Sequence, residues 1–146
     1  MSPSDPFRSS RYSGLAMSHN LRELARAVYE AVDRGDLDAF IARVHPDIEM
    51  HSLIAEAEDR IYKGHDGVRE WWGTVADSLG RVRFEPGQVE SFRDRGIAQI
   101  RMVGTVEGVE VAQTMWHAFR VRDGLLVWSA AFRTEAEGLE AVGLRE

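Results

Sequence analysis

In the stretch "VAQTMWHAFRV", Val111 to Val121, side chains alternate with the two-residue period of a strand, and His117 falls among the apolar ones. Imidazole has an unperturbed pKa of about 6.5, so an inward-facing histidine can work as a general acid/base or hold a bound carbonyl by a hydrogen bond. A buried neutral histidine satisfied by one backbone carbonyl fits the same pattern, and both readings stay open. His51 and Ser52, at the end of "DIEMHSL", are a second pair of chemistry-bearing groups, of which only one can face inward. As a base His51 is the better of the two. Gln113 shares the face of His117 and could read an amide or hydroxyl, or be satisfied by the protein. Trp71, Trp72 and Trp128 are large apolar walls, with Met115 and Phe119 beside His117 on the strand; plain core is their default reading, and in an open cavity Trp72 with Trp128 would bound a flat organic ligand.

Other chemistries find no support. The chain has no cysteine, so thiolate catalysis, disulfides and cysteine-ligated metals drop out. No HExxH occurs, and His45, His51, His65 and His117 lie on separate elements without ligand spacing, so no metal is expected. GxGxxG, P-loop and GxSxG motifs are missing, and no cofactor is expected. A net charge of −6 argues against nucleic acid or an anionic membrane surface as partner. No apolar run approaches the roughly 18 residues of a membrane helix, and a cytoplasmic location suits the composition. The acidic run "AEAEDR" reads as a solvated loop.

The elements that must position these groups follow from periodicity. Residues 1–18, rich in Ser and Pro, read as a disordered tail, with Met17 as an alternative start, and 19–146 as one domain. Asn20 with Glu23 forms a capping box for a helix with Leu21, Leu24, Val28, Ala31 and Val32 on one stripe. Gly35 ends it. "GDLDAFIARVHP" gives a shorter helix stopped by Pro46. Asp66 caps a third helix with Val68, Trp71, Trp72, Val75 and Leu79 inward, and Gly80 stops it. Strands then run near Val82–Phe92, Ile97–Val106, Val109–Arg122 and Leu125–Phe132, with Glu107-Gly108 and Asp123-Gly124 as hairpin turns. Thr134 with Glu137 caps a final helix. Helices followed by a meander of antiparallel strands make an α+β fold.

The two hairpin turns fix a register. Across Glu107-Gly108, Met102 faces Gln113, Ile100 faces Met115 and Ala98 faces His117. Across Asp123-Gly124, Val121 faces Leu126, Phe119 faces Trp128 and His117 faces Ala130. His117 therefore has an alanine on each side, and small neighbours beside a polar group suggest a pocket floor. Arg101, Trp116, Arg120, Arg122 and Ser129 fall on the opposite face. With Val103 and Val127, its aromatic and arginine side chains suggest a homodimer contact.

The segments "DRGDLDAFIARVHPDIEMHS", "YKGHDGVREWW", "MWHAFRVRDGLLVW" and "EAEGLEAVGL" together resemble the nuclear transport factor two-like superfamily, most closely its SnoaL-like branch of polyketide cyclases. The resemblance implies a cone, in which a curved antiparallel sheet wraps the N-terminal helices around a ligand cavity, and frequent dimers. Ketosteroid isomerases share this fold. Laid on this chain without gaps, their tyrosine falls on Val28 beside Tyr29, their base on Ser52 beside His51, and their oxyanion-holding acid on His117. All three identities differ, so that isomerase mechanism is not expected. Epoxide hydrolysis on this fold needs an Asp-Arg-Asp set that the inward positions do not assemble. The expectation is a protein that binds a small apolar or aromatic organic ligand. It is read as a cofactor-independent isomerase or cyclase using His117 with His51 or Ser52, and with Tyr29 at the ligand. The alternative is a non-catalytic ligand-binding or dimerisation module of the same fold.

Overall fold

The computed structural model describes residues 19–53 and 60–143, without the side chains of residues 19 and 20. Helix α1, His19–Arg34, carries Leu21, Leu24, Ala25, Val28, Tyr29 and Val32 at the i, i+3, i+4 spacing that makes one apolar stripe. It begins ahead of the cap expected at Asn20. Gly35 then takes a left-handed φ of 67° and reverses the chain. Asp36 caps α2, Leu37–Ile41, by accepting the Ala39 N–H at 3.0 Å.

Strand β1, Val44–His51, starts three residues before the expected segment and takes in Pro46. Proline cannot donate to a ladder, and the pairing of β1 is irregular between Val44 and Glu49, where Pro46 sits. The residues 54–59, most of the expected acidic loop, lie outside the described ones, as do the tail 1–18 and the terminal 144–146. After them comes β2, Ile61–Lys63, too short for periodicity to reveal, and α3, Gly64–Leu79. Asp66 lies inside the first turn of α3 instead of capping it, and pairs with Arg69 at 3.2 Å.

Four long strands complete the sheet: β3 Arg83–Phe92, β4 Arg95–Val106, β5 Val109–Arg122 and β6 Leu125–Phe132. The sheet order is β2-β1-β6-β5-β4-β3, with β1 and β6 parallel and every other pair antiparallel. It is a curved α+β sheet with the N-terminal helices against its inner face. Pro86 is tolerated on β3 because that strand is an edge and its register shifts between Pro86 and Val89. Both expected hairpin turns form, with positive φ at Glu107, Gly108, Asp123 and Gly124, as type I′ turns require.

Register was read correctly from β4 to β5, where Ala98 pairs with His117, Ile100 with Met115 and Met102 with Gln113. From β5 to β6 it holds only beside the turn. Val121 pairs with Leu126, but Arg120 then pairs with Trp128, leaving Val127 as an extra residue. This bulge turns every later β6 side chain to the face opposite its expected one. Phe119 pairs with Ser129, and His117 with Ala131. Trp128 therefore leaves the inner face and Ser129 enters it.

Helix α4, Glu135–Ala141, is capped by Thr134, which accepts the Glu137 N–H at 3.2 Å. It packs on the outer face, where Ile97, Ala118, Leu139 and Val142 form a second small core with Trp116, Trp128 and Phe132. Much of the surface expected to pair two copies is used inside the chain. Trp116 packs against this core, Val103 is buried, and Arg120 donates to the Ala141 carbonyl at 3.2 Å.

Gly73 sits mid-helix in α3 with nothing near the place its Cβ would take. Gly73→Ala should therefore stabilise the protein by about 0.5–1 kcal/mol through helix propensity alone. Calorimetry would read this as a rise of a few degrees. A fall would mean that the open face of α3 is not open.

Candidate functional site

Between α1, α3 and the inner sheet face lies a cavity of about 60 Å3. The stripe of α1 brings Leu24, Ala25, Val28 and Tyr29 to it, and Met115, His117 and Phe119 reach it from β5. Their alternation on one strand explains why the imidazole lies among core side chains. Ala98 opposite His117 on β4 and Ala131 opposite it on β6 keep both flanks low. The expected alanine on β6 was Ala130, and the bulge substitutes its neighbour.

His117 is held in an aromatic corner. The Phe84 ring meets it edge-on at 5.1 Å, and the Tyr29 ring stacks at 6.2 Å. The Tyr29 hydroxyl lies 3.5 Å from His117 Nδ1, a long hydrogen bond. Burial dominates the electrostatics of the pair. It pushes the imidazole down to about 4 and holds the phenol of Tyr29 protonated well above its ordinary range. At neutral pH the corner therefore contains a neutral histidine beside a neutral tyrosine. His117 is only partly buried by accessible area, but it borders a cavity with mostly apolar walls, so the imidazole still lacks the water that would stabilise its charge.

The end of β1 answers which of two neighbours faces inward. Met50 is buried and lines the cavity, so alternation sends Glu49 and His51 to the outer face. His51 contributes to the cavity wall, yet its Nε2 lies 3.2 Å from Glu49 Oε2 and its ring 6.1 Å from Trp128. Ser52 lines the cavity next to it.

Tyr29, Met115, Phe119, Ser52 and His117 thus come together, and three expected ligand contacts do not. Trp128 belongs to the outer core, removed by the bulge at Val127. Trp72 is one helix position past the inward direction. Its neighbour Trp71 lines the cavity, while Trp72 packs on Phe40 at 5.4 Å and faces a separate groove. Gln113 keeps the predicted register but sits nearer the β4–β5 turn, beyond the cavity walls. Ser129, which sequence reasoning placed outside, lines the cavity. Only the bulge brings it there, and no residue in "GLLVWSAAF" marks that bulge. Among the described residues, no three His, Asp or Glu side chains converge as a metal site would, and no helix is long and apolar enough to cross a membrane.

Residues 25–129 match the family described as the SnoaL-like domain. No curated protein matches the chain. Among solved structures, TerC co-crystallised with polyporic acid is 22% identical, with a TM-score of 0.71 over 86% of this chain and 99% of that one. A structure from Xanthomonas campestris pv. campestris, named for a polyketide cyclase, is 20% identical, with a TM-score of 0.68 over 84% of this chain and 96% of its own. A Mycobacterium tuberculosis protein in complex with estradiol-17beta-hemisuccinate is 12% identical, with a TM-score of 0.68 over 82% of this chain and 97% of its own. At these identities the likeness is one of fold.

Proposed function

The chain belongs to the SnoaL-like family, and on that footing we propose that it binds a compact, largely apolar carbonyl compound in the cavity between α1, α3 and the sheet. The observation that carries this reading is a mostly apolar cavity with a neutral histidine and a protonated tyrosine side by side on its wall. In the tautomer in which Nδ1 accepts from the Tyr29 hydroxyl, the imidazole proton resides on Nε2 and can serve a ligand acceptor. A neutral donor suits an apolar site, because it needs no counter-charge. The cavity volume of about 60 Å3 lies below the roughly 300–1,000 Å3 of pockets for drug-sized molecules. The ligand is correspondingly small. That structural neighbours hold organic ligands supports an organic occupant.

The finer question is turnover. An isomerase or cyclase that moves a proton at neutral pH needs a competent base. None of the described cavity-lining side chains is a carboxylate, the His117 imidazole pushed down to about 4 is a weak base, and the other imidazole on the wall, His51, has its Nε2 3.2 Å from Glu49 Oε2. Ser52 and Ser129 supply hydroxyls, which hydrogen-bond but do not abstract protons near pH 7. These observations favour His117 as a group that holds or polarises a carbonyl, with Tyr29 orienting it. The weak basicity of His117 also favours the second reading, a ligand-binding module without catalysis.

Cyclopentanone and methylenecyclopentane differ chiefly in the carbonyl oxygen and make a matched probe pair. Titration followed by amide shifts around His117 should show the ketone bound about tenfold more tightly, equivalent to about 1.4 kcal/mol. His117→Ala should erase that preference. Equal affinity of the wild type for both compounds would end the reading.

A further inference from the structure

A second depression, separate from the cavity, lies where the C-terminal ends of α1 and α3 meet. It is a surface groove of about 390 Å3, a size in the ordinary range for organic ligands. Its apolar floor comprises Trp71, Trp72, Val32 and Val75, and Arg34 and Arg81 also line it. Two chain reversals build it. Gly35 ends α1 at a φ of 67° and Gly80 ends α3 at a φ of 65°. The Arg81 side chain lies against the first of them: a Cβ on Gly35 would stand 3.6 Å from Arg81 Nε.

The two guanidiniums are positioned but not saturated. Arg81 donates to the Asp33 carbonyl, which fixes its direction, and Arg34 stands 4.0 Å from Asp36. Each guanidinium carries five N–H donors, so both keep donors for an incoming oxyanion. The indoles are also braced. Phe40 packs on Trp71 at 6.1 Å and on Trp72 at 5.4 Å, and the two indoles meet edge-on at 6.3 Å. A flat apolar surface beside two oriented cations is complementary to a molecule with a ring at one end and an anion at the other.

We propose that this groove is a second binding site, and that it takes an aromatic carboxylate. The ring lies against Trp71 and Trp72, and the carboxylate is held between Arg34 and Arg81. The site is distinct from the carbonyl site, since His117 and Tyr29 take no part in it, and only Trp71 borders both.

The test uses 2-naphthoate and the uncharged 2-naphthamide, titrated into the full chain by calorimetry and by tryptophan fluorescence. Naphthoate should bind about tenfold more tightly than naphthamide. The preference should shrink in Arg34→Gln, vanish in the folded Arg34→Gln/Arg81→Gln variant, and persist in His117→Ala. Amide shifts at Gly35 and Gly80 should report occupancy. Equal binding of the two compounds, or no binding, would overturn the proposal. So would a preference that survives in the arginine variants and disappears in His117→Ala, because the anion would then occupy the inner cavity.

Discussion

Between pH 7 and pH 4 the wild type should lose about 3 kcal/mol of stability that a His117→Gln variant retains. In the unfolded chain this imidazole titrates near 6.5. In the folded protein burial pushes it down to about 4. Above about 6.5 both states hold His117 neutral, and stability is unaffected by its titration. Below that point the unfolded chain takes up a proton that the folded chain refuses, so acid favours unfolding. The loss grows by about 1.4 kcal/mol per pH unit and levels off below pH 4, where both states are protonated. Every other ionisable group is common to the two proteins, so the difference between the two curves isolates His117. Denaturant melts at pH 7, 6, 5 and 4 would measure it, and thermal melts should show a separation of roughly 10 °C in Tm at the acid end. Parallel curves would mean that water reaches the imidazole freely, and the apolar corner formed with Tyr29 and Phe84 would not be what strips it.

The parts of this architecture legible in the sequence are those set by local chemistry. Gly35 and Gly80 end helices because a left-handed residue is needed there, and Glu107-Gly108 and Asp123-Gly124 turn the chain because both central residues take positive φ. The stripe from Leu21 to Val32 and the alternation from Met115 to Phe119 then bring Tyr29 and His117 to one place. What escaped depends on contacts distant in sequence. The bulge at Val127 exchanges Trp128 for Ser129 on the inner face, and its cause is how β6 lies between β1 and β5. Strand β2 exists only because β1 offers it an edge. Trp71 and Trp72 both suit a helical stripe, and only the direction of α3 over the sheet decides which one meets the cavity. His51 and Ser52 were separable in principle by counting from Met50, but only once Met50 is known to point inward.

Gly96→Ala should be among the most damaging single-methyl changes in the protein. Gly96 lies on β4 between Ser91 of β3 and Phe119 of β5. An added Cβ would stand 2.5 Å from Phe119 Cζ and 2.6 Å from the Glu90 carbonyl oxygen. Neither neighbour can yield cheaply. The carbonyl belongs to the backbone of a paired strand, and the Phe119 ring is buried with the cavity beside it. We expect a loss of roughly 2–3 kcal/mol, at the upper end of the range for overpacking, or about 6–12 °C in Tm. Gly73→Ala, the same chemical change in open space, should move the other way. Because Phe119 can retreat only toward the cavity, Gly96→Ala should also weaken cyclopentanone binding, although Gly96 does not line the cavity. Phe119→Leu removes the ring tip that clashes, so the double variant should be destabilised by less than the two single changes added together. Additive losses would place the strain entirely at the Glu90 carbonyl, and a Gly96→Ala variant as stable as the wild type would show that β3 and β4 do not need the close approach.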